Sequence, residues 1–579
     1  MPSTRRTAEP RVTDNTPDRF DVVIIGAGVN GAGLFRDLCA QGLRCLIVDK
    51  GDFGSGTSAA PSRLIHGGLK YLETGEFRLV AESTYERNLL LRNAAHLVHP
   101  LPTVIPILSW TKGIWPALRT FFGSKTAPRS RGAVLIKLGL MLYDLYGRRA
   151  RVMPRHAMMG RARALATIPA LTPDIKAVGT YYDAAITAPE RLVLELVQDG
   201  LALSESSEAL NWTPVTGQRD GVLDLAGPDG HRRQVRTDLV VNAAGPWIDR
   251  VNAVLGLDTA LIGGTKGAHI LLDHPDLVRQ LDGHMIYFEG NDGRILLVFP
   301  YEGKALVGST DIADDAPDDA VCSEAETAYF LEALRQLLPG LAFDEDQIVF
   351  AYAGIRPLPN SDSVDPGLIS RDHSAPVAEA ASGRPFPVIS LVGGKWTTFR
   401  AFAAEVSDTV LARLGRRRRC ATDDMPIGGG RDMPGPNMRA DWIARVAGQT
   451  AAPPGRVAQL LDRYGTTGRR IAIAEGAHPA PLPDTPDVTR AEIDWIARNE
   501  KVVHLDDILL RRTTLAISGR LTAALCAEVC EIAAVTLGWS DAQAQAELDG
   551  FHALLATRHG VSLAGAPISG SRKSEDRIA

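Results

Sequence analysis

Apolar positions first gather at residues 22–25, Val22-Val23-Ile24-Ile25, after a polar stretch carrying Pro and Arg. Four apolar residues in a row, without alternation, predict a strand buried on both faces, as in a parallel sheet. The run breaks into Gly26-Ala27-Gly28-Val29-Asn30-Gly31 and passes into helical spacing as far as Gln41-Gly42. A second strand at 44–48 ends in Asp49. Similar strand-to-glycine transitions recur at 237–247 and at 388–399, the latter breaking at Gly393-Gly394. Strands are also predicted at 286–288, 294–301 and 304–308, with Glu302-Gly303 as a hairpin turn. Helical spacing marks 84–100, 135–147 and most of the chain beyond 437, most clearly 491–499 and 521–537. The charged piece 505–512 suits an ion-pair network. Arg416 to Arg419, Gly428 to Gly430 and Pro434-Gly435-Pro436 read as a linker, the arginine run as a solvated surface. There is no internal repeat, and the polar tail after about 565 reads as mobile.

Strand, Gly26-x-Gly28-x-x-Gly31, helix, strand and acid form the dinucleotide-binding pattern in its required order. Gly26 permits the tight turn, Gly28 lets a pyrophosphate approach the backbone, and Gly31 lets the helix pack on the strand. The helix N-terminus, with Asn30 in its first turn, offers N–H groups and a positive dipole end to phosphate. Asp49 is placed to accept ribose hydroxyls. The later pieces argue for FAD. Ser55, Thr57 and Ser58 can line an extended cofactor, as can Ala244 and Gly245, and Gly394, Lys395 and Thr397 open a third turn-to-helix unit near the flavin ring.

The run Ser62-Arg63-Leu64-Ile65-His66-Gly67-Gly68-Leu69-Lys70-Tyr71-Leu72-Glu73 closely resembles the signature of FAD-dependent glycerol-3-phosphate dehydrogenases. So do Thr265-Lys266-Gly267-Ala268-His269, Gly308-Ser309-Thr310-Asp311, Gly354-Ile355-Arg356-Pro357-Leu358 and Gly393-Gly394-Lys395-Trp396-Thr397-Thr398. These pieces keep the family's order over about residues 20–413. Lys70 stands where the family usually has Arg. The resemblance implies oxidation of sn-glycerol 3-phosphate to dihydroxyacetone phosphate, with electrons passed to membrane quinone. It allows a homodimer. Alternatives are an oxidase using oxygen, a flavin dehydrogenase of another small hydroxy or amino acid, and a non-catalytic flavin-binding protein.

The expected fold class is α/β: a Rossmann-like FAD-binding domain, an inserted α+β substrate domain and a C-terminal helical domain. The expected division is a disordered tail at 1–18; FAD-binding pieces at 19–80, 191–255 and 355–413; substrate-domain pieces at 81–190 and 256–354; a linker at 414–436; and helices over 437–579. A length of 579 residues suits about three to four domains. A net charge of −5 gives no signal for nucleic acid. Six scattered cysteines form no disulfide framework and suit a reducing compartment. Cys526 and Cys530 share a helix face, but without further ligands they read as core, and no metal is expected.

No apolar run reaches the ~18 residues that a spanning helix needs. The segment from Trp110 to Lys125, with Arg129, mixes aromatics with basic side chains and suits a headgroup layer. A protein in the cytoplasm, peripheral to the inner face of its membrane, is expected.

Alcohol oxidation by a flavin needs a base for the hydroxyl proton, a path for the hydride and a grip on the rest of the substrate. His66 is the candidate base, with Gly67-Gly68 leaving room for a close-lying ring. A phosphomonoester calls for Arg and Lys. Arg356, Arg371, Lys70 and His269 are the expected substrate contacts, with Arg356 and Lys395 joining His66 in catalysis.

Overall fold

The computed structural model describes residues 17–72, 75–110, 132–147, 152–361 and 372–563. The first sheet is built on the apolar run: β1 (Asp18–Ile25) pairs in parallel with β2 (Cys45–Val48) on one side and with Arg232–Asn242 on the other. Val388–Ser390 extends the sheet beyond Arg232–Asn242 and Glu208–Leu210 beyond β2, both parallel. Val22 and Ile24 face a cluster formed by α1 (Val29–Ala40), Pro189–Leu203 and Phe399–Arg413. Val23 and Ile25 face an opposite cluster with Leu223, Leu225 and Phe386. Burial on both faces explains why these strands read as unbroken apolar runs.

The second sheet is ten-stranded and mostly antiparallel. The expected hairpin is there: Ile295–Tyr301 pairs with Lys304–Gly308, and Glu302 and Gly303 both take positive φ, as a tight two-residue turn requires. One face packs Ile270, Ile286 and Val298 against Phe330 and Leu334 of Glu324–Leu337. The other packs Leu271, Phe299 and Phe350 against Ile493, Val529 and Phe551 of the C-terminal helices. Strand Ile348–Pro359 runs unbroken through position 355, where a domain boundary was expected.

One helix falls elsewhere than expected. Spacing predicted 84–100; the helix is Phe77–Asn93, and Val98–Ile107 is a strand. Pro100, Pro102 and Pro106 bar a helix interior, because proline offers no N–H and collides with the preceding turn. The helices at 133–146, 490–499 and 523–537 match expectation within two residues. Thr489, Thr522 and Ser540 each accept a backbone N–H from three residues ahead, which sets where the last three helices begin. Cys526 and Cys530 lie in this helical core. The arginine run is only partly a free surface: Arg418 bonds Asp37 and Asp408, tying the linker to α1. The charged piece 505–512 is largely buried and does form an ion-pair network, as described below. Among the described residues no helix is long and apolar enough to cross a membrane.

Glu492 organises the C-terminal region. It is fully buried and accepts from Arg456 at 2.6 Å, Arg463 at 2.6 Å and the Tyr464 hydroxyl at 2.5 Å. Burial pushes its carboxyl up, but Arg463 and Arg456 outweigh this and hold it below the usual carboxylate range. Its stabilising share is therefore present above the unfolded value near 4.3 and lost as pH falls below it. Glu492→Gln removes the anion that Arg456 and Arg463 share, leaving Arg456 with Glu475 and Arg463 with Asp487, and should cost about 1.5–3 kcal/mol at pH 7. The check is the denaturant midpoint of the full chain, and the deficit should shrink below about pH 4.

Candidate active site

A cavity of about 1390 Å³ opens where the two sheets and the C-terminal helices meet. It exceeds the ~300–1,000 Å³ usual for a small-molecule site, which leaves room for an extended cofactor beside a small substrate. At one end lies the glycine turn. Gly26 has φ +107°, and a Cβ there would sit 2.5 Å from the Ala243 carbonyl oxygen. A Cβ on Gly31 would sit 1.9 Å from the Gly26 oxygen. Both glycines are demanded by the protein's own packing. Gly28 differs: its backbone is extended, its added Cβ would meet only Ser58 Oγ at 3.1 Å, and it lines the cavity.

The expected cofactor residues gather around this turn, and several use their side chains within the protein. Ser58 Oγ accepts the Val29 N–H at 2.9 Å, at the very start of α1. The Thr57 hydroxyl donates to the Ile355 carbonyl at 2.6 Å, tying this wall to the second sheet. Asp49 accepts the N–H groups of Ala27 at 2.6 Å and Gly51 at 2.9 Å. Burial pushes its carboxyl up to about 6, with the nearby Asp52 adding to the rise and the two N–H bonds opposing it. Ser55, Ala244, Gly245, Gly394, Lys395 and Thr397 also line the cavity. Asn30 does too, and its Oδ1 is buried without a hydrogen-bond partner. That orphaned acceptor, the bare glycine backbone and the Asp49 carboxylate fit a dinucleotide.

At the other end His66 lines the cavity, half-buried. Its turn is held from behind. The Gly67 N–H donates to the Tyr143 hydroxyl at 2.8 Å and to Asp183 Oδ1 at 3.2 Å, and Arg87 bonds both. A Cβ on Gly67 would meet Tyr143 and Thr84 at 2.4 Å, so only glycine fits. Lys395 Nζ donates to Ser83 Oγ at 2.9 Å and reaches the His66 carbonyl at 3.4 Å. It lies 4.7 Å from the centre of the Tyr71 ring. Lys70 lines the cavity from the short turn Leu69–Leu72. Arg356 lines it from the second sheet, its guanidinium bonded to Ser309 Oγ, the Thr310 carbonyl and Asp311, each at 3.1 Å.

His269 stands elsewhere than expected. It is buried behind the wall, its ring stacked 4.8 Å from Tyr352, and its Nε2 meets Ser62 Oγ at 2.8 Å. Burial first, then Arg356 and Arg63, push its pKa well down, which keeps the imidazole neutral. It supports Ser62, which does line the cavity. Tyr352 stacks on the ring and Gly308 approaches so closely that an added Cβ there would meet His269 Cδ2 at 2.1 Å, which leaves His269 only 1% exposed. Arg371 lies outside the described residues. Sequence reasoning missed Arg87, Tyr143, Asp183 and Ser83; charged or hydroxyl residues embedded in apolar segments were the available signal.

A family model described as FAD dependent oxidoreductase matches residues 21–398, and one described as the C-terminal domain of alpha-glycerophosphate oxidase matches residues 420–544. The chain is 30% identical over 565 residues to a glycerol-3-phosphate dehydrogenase of Synechocystis sp., covering 92% of this chain and 96% of that one. It is 30% identical over 537 residues to a glycerol-3-phosphate dehydrogenase of Mycobacterium leprae, covering 90% and 86%. It is 29% identical over 511 residues to a D-erythritol 1-phosphate dehydrogenase of Brucella abortus, covering 86% and 94%. Among solved structures, the glycerol-3-phosphate dehydrogenase from Bacillus halodurans complexed with FAD has the same fold, with a TM-score of 0.70 at 20% identity over 94% of this chain and 96% of that one.

An Asp49 carboxylate that accepts ribose hydroxyls would make dinucleotide binding pH-dependent. Only the carboxylate accepts ribose hydroxyls through all its lone pairs, and a carboxyl raised to about 6 is ionised above that pH and neutral below it. FAD affinity of the stripped protein, followed by flavin fluorescence quenching, should be full at pH 8 and fall as pH drops through about 6. Asp49→Asn should weaken binding at pH 8 by about 1.5–3 kcal/mol and flatten the pH profile.

Proposed function

The chain belongs to the FAD-dependent oxidoreductases, within them to the glycerol-3-phosphate dehydrogenase family, and on that premise we propose that it oxidises sn-glycerol 3-phosphate to dihydroxyacetone phosphate. The observation that carries this reading is the convergence of His66, Lys70, Arg356 and Lys395 on the cavity that also holds the glycine turn. Bound FAD supplies the two-electron acceptor for the hydride that leaves the carbinol carbon. His66 takes the hydroxyl proton, a task that suits imidazole near neutral pH. The Gly67 anchor fixes where that ring stands. Arg356 and Lys70 hold the phosphate, whose near-double negative charge favours cations on both sides. Lys70 keeps the charge of the family's arginine but offers a point contact in place of a fork. Lys395, fixed by Ser83 and the His66 carbonyl, places a positive charge beside the base.

Anaerobic addition of glycerol 3-phosphate should bleach the flavin band, and glycerol should not. Arg356→Ala should raise KM for glycerol 3-phosphate roughly 30- to 100-fold, a loss of about 2–3 kcal/mol, with little change in the slow turnover of glycerol. Equal losses on both would make Arg356 structural. Faster bleaching by a four-carbon polyol phosphate would move the assignment to that substrate.

The electron acceptor in this reading is membrane quinone, with the protein peripheral to the cytoplasmic membrane. The support is an exposed apolar stripe. Val134, Leu138, Met141 and Leu145 recur at helical spacing on Ala133–Tyr146, and each is more than half exposed. Leu108 and Trp110, also more than half exposed, end the strand region just before it. The segment 111–131, where the basic and aromatic residues were read as a headgroup contact, lies outside the described residues. Exposed apolar faces of this kind mark lipid or protein contacts. Leu138→Glu with Met141→Glu should abolish co-sedimentation with anionic vesicles and quinone reduction in them. Turnover with a water-soluble artificial acceptor should persist. Unchanged vesicle binding would remove this face from the membrane contact.

A further inference from the structure

The segment Gly51 to Ser58 walls the cofactor cavity with Ser55, Thr57 and Ser58, yet its buried anion, Asp52, points toward the far end of the chain. Asp52 is fully buried. Its Oδ2 accepts from Arg511 Nε and Arg512 Nη1, both at 2.6 Å, and its Oδ1 accepts from Arg512 Nη2 at 2.9 Å and Asn211 Nδ2 at 3.0 Å. Both arginines come from Asp507–Arg512, a π-helical turn. Neighbouring residues of an α-helix do not face one target; the wider turn lets two successive guanidiniums meet one carboxylate. Arg511 also bonds Asp506 and Asp507, and Asp507 accepts from the Trp212 indole. Trp212 in turn donates its backbone N–H to Gly51, and Thr213 donates to the Asp49 carbonyl at 2.6 Å. Leu510 and Arg511 themselves form part of the cavity wall.

We propose that the C-terminal region is a working part of the FAD site, with Arg512 and Arg511 as positioning residues that hold Asp52 and, through it, the segment from Asp49 to Ser58. A buried carboxylate deprived of its guanidiniums must move to water or take up a proton. Either change pulls on Gly51 and on Ser55, whose N–H is bonded to the Asp52 carbonyl at 3.1 Å. Burial alone would push Asp52 up, but the two arginines overcome it and keep the side chain ionised. The residues that match the FAD-dependent model, 21–398, therefore do not complete their own cofactor site.

The test uses the full chain stripped of flavin, titrated with FAD and no substrate, so that its outcome is independent of the assigned substrate. Arg512→Lys keeps the charge and loses the fork; Arg512→Met loses both. The FAD dissociation constant should rise roughly 10-fold for the first and up to about 100-fold for the second, the scale found when a partner behind a ligating group is removed. The visible circular dichroism of bound flavin should change in both. Glu492→Gln, which weakens the same region away from Asp52, should leave FAD affinity within about twofold if distant sites act independently. Should Arg512→Met fold poorly, Asp52→Asn takes its place, with the same rise expected. Unchanged FAD affinity in both Arg512→Lys and Asp52→Asn would overturn the proposal. So would a loss in Glu492→Gln equal to that in Arg512→Lys, since general loosening would then explain it.

Discussion

A side chain one atom larger at position 31 would drive its Cβ to 1.9 Å from the Gly26 carbonyl oxygen. The absence of that atom lets α1 begin directly against the end of β1. Everything at the cofactor end depends on this contact. It sets the helix N-terminus at the strand tips, an arrangement of N–H groups and positive dipole end that suits a pyrophosphate. It also brings Val29 within reach of Ser58, so that a residue from a different segment completes the turn. The opposing wall is set by the same closeness: Gly26 abuts Ala243, which stands at the end of the neighbouring parallel strand.

The His66 end of the cavity is governed by polar satisfaction. Arg87, Tyr143 and Asp183 are all buried, and each must find partners in the interior. They find one another and the Gly67 N–H. Such a buried network is weak evidence for stability, because desolvation offsets much of the attraction. Its consequence here is geometric: the backbone next to His66 has one low-energy position. Tyr143 lies on the helix whose opposite face exposes Leu138 and Met141, so a single helix serves the His66 turn and the apolar surface.

The C-terminal helices are joined to the two sheets by different physics at different places. Against the second sheet they bury an apolar face, Phe350 and Phe299 meeting Phe551 and Val529. Against the first they meet through paired ions, Asp52 with Arg511 and Arg512, and Arg191 with Glu500. Apolar packing tolerates small shifts, whereas a bidentate guanidinium–carboxylate pair fixes both distance and angle. The contact that demands geometry is the one nearest the cofactor wall.

The sequence by itself determined what depends on neighbours along the chain. The course β1, glycine turn, α1, β2 and Asp49 was legible because each step rests on residues a few positions apart. So was the hairpin at Glu302-Gly303, where the turn residues state their own backbone conformation. His66, Lys70, Arg356 and Lys395 could be named as candidates from their motifs, and all four line the cavity. Only the tertiary structure decided which side chains reach the cavity. His269 carries the same kind of motif as Arg356 and is sealed behind the wall, because Tyr352 and Gly308 close over its ring. The proline-rich strand 98–107 was hidden within a helical pattern whose apolar residues gave the stronger signal. Asp52 and Arg512 are separated by 460 positions, and no local rule links them. Burial turns two ordinary charged residues into a pair, and burial is a property of how the layers close.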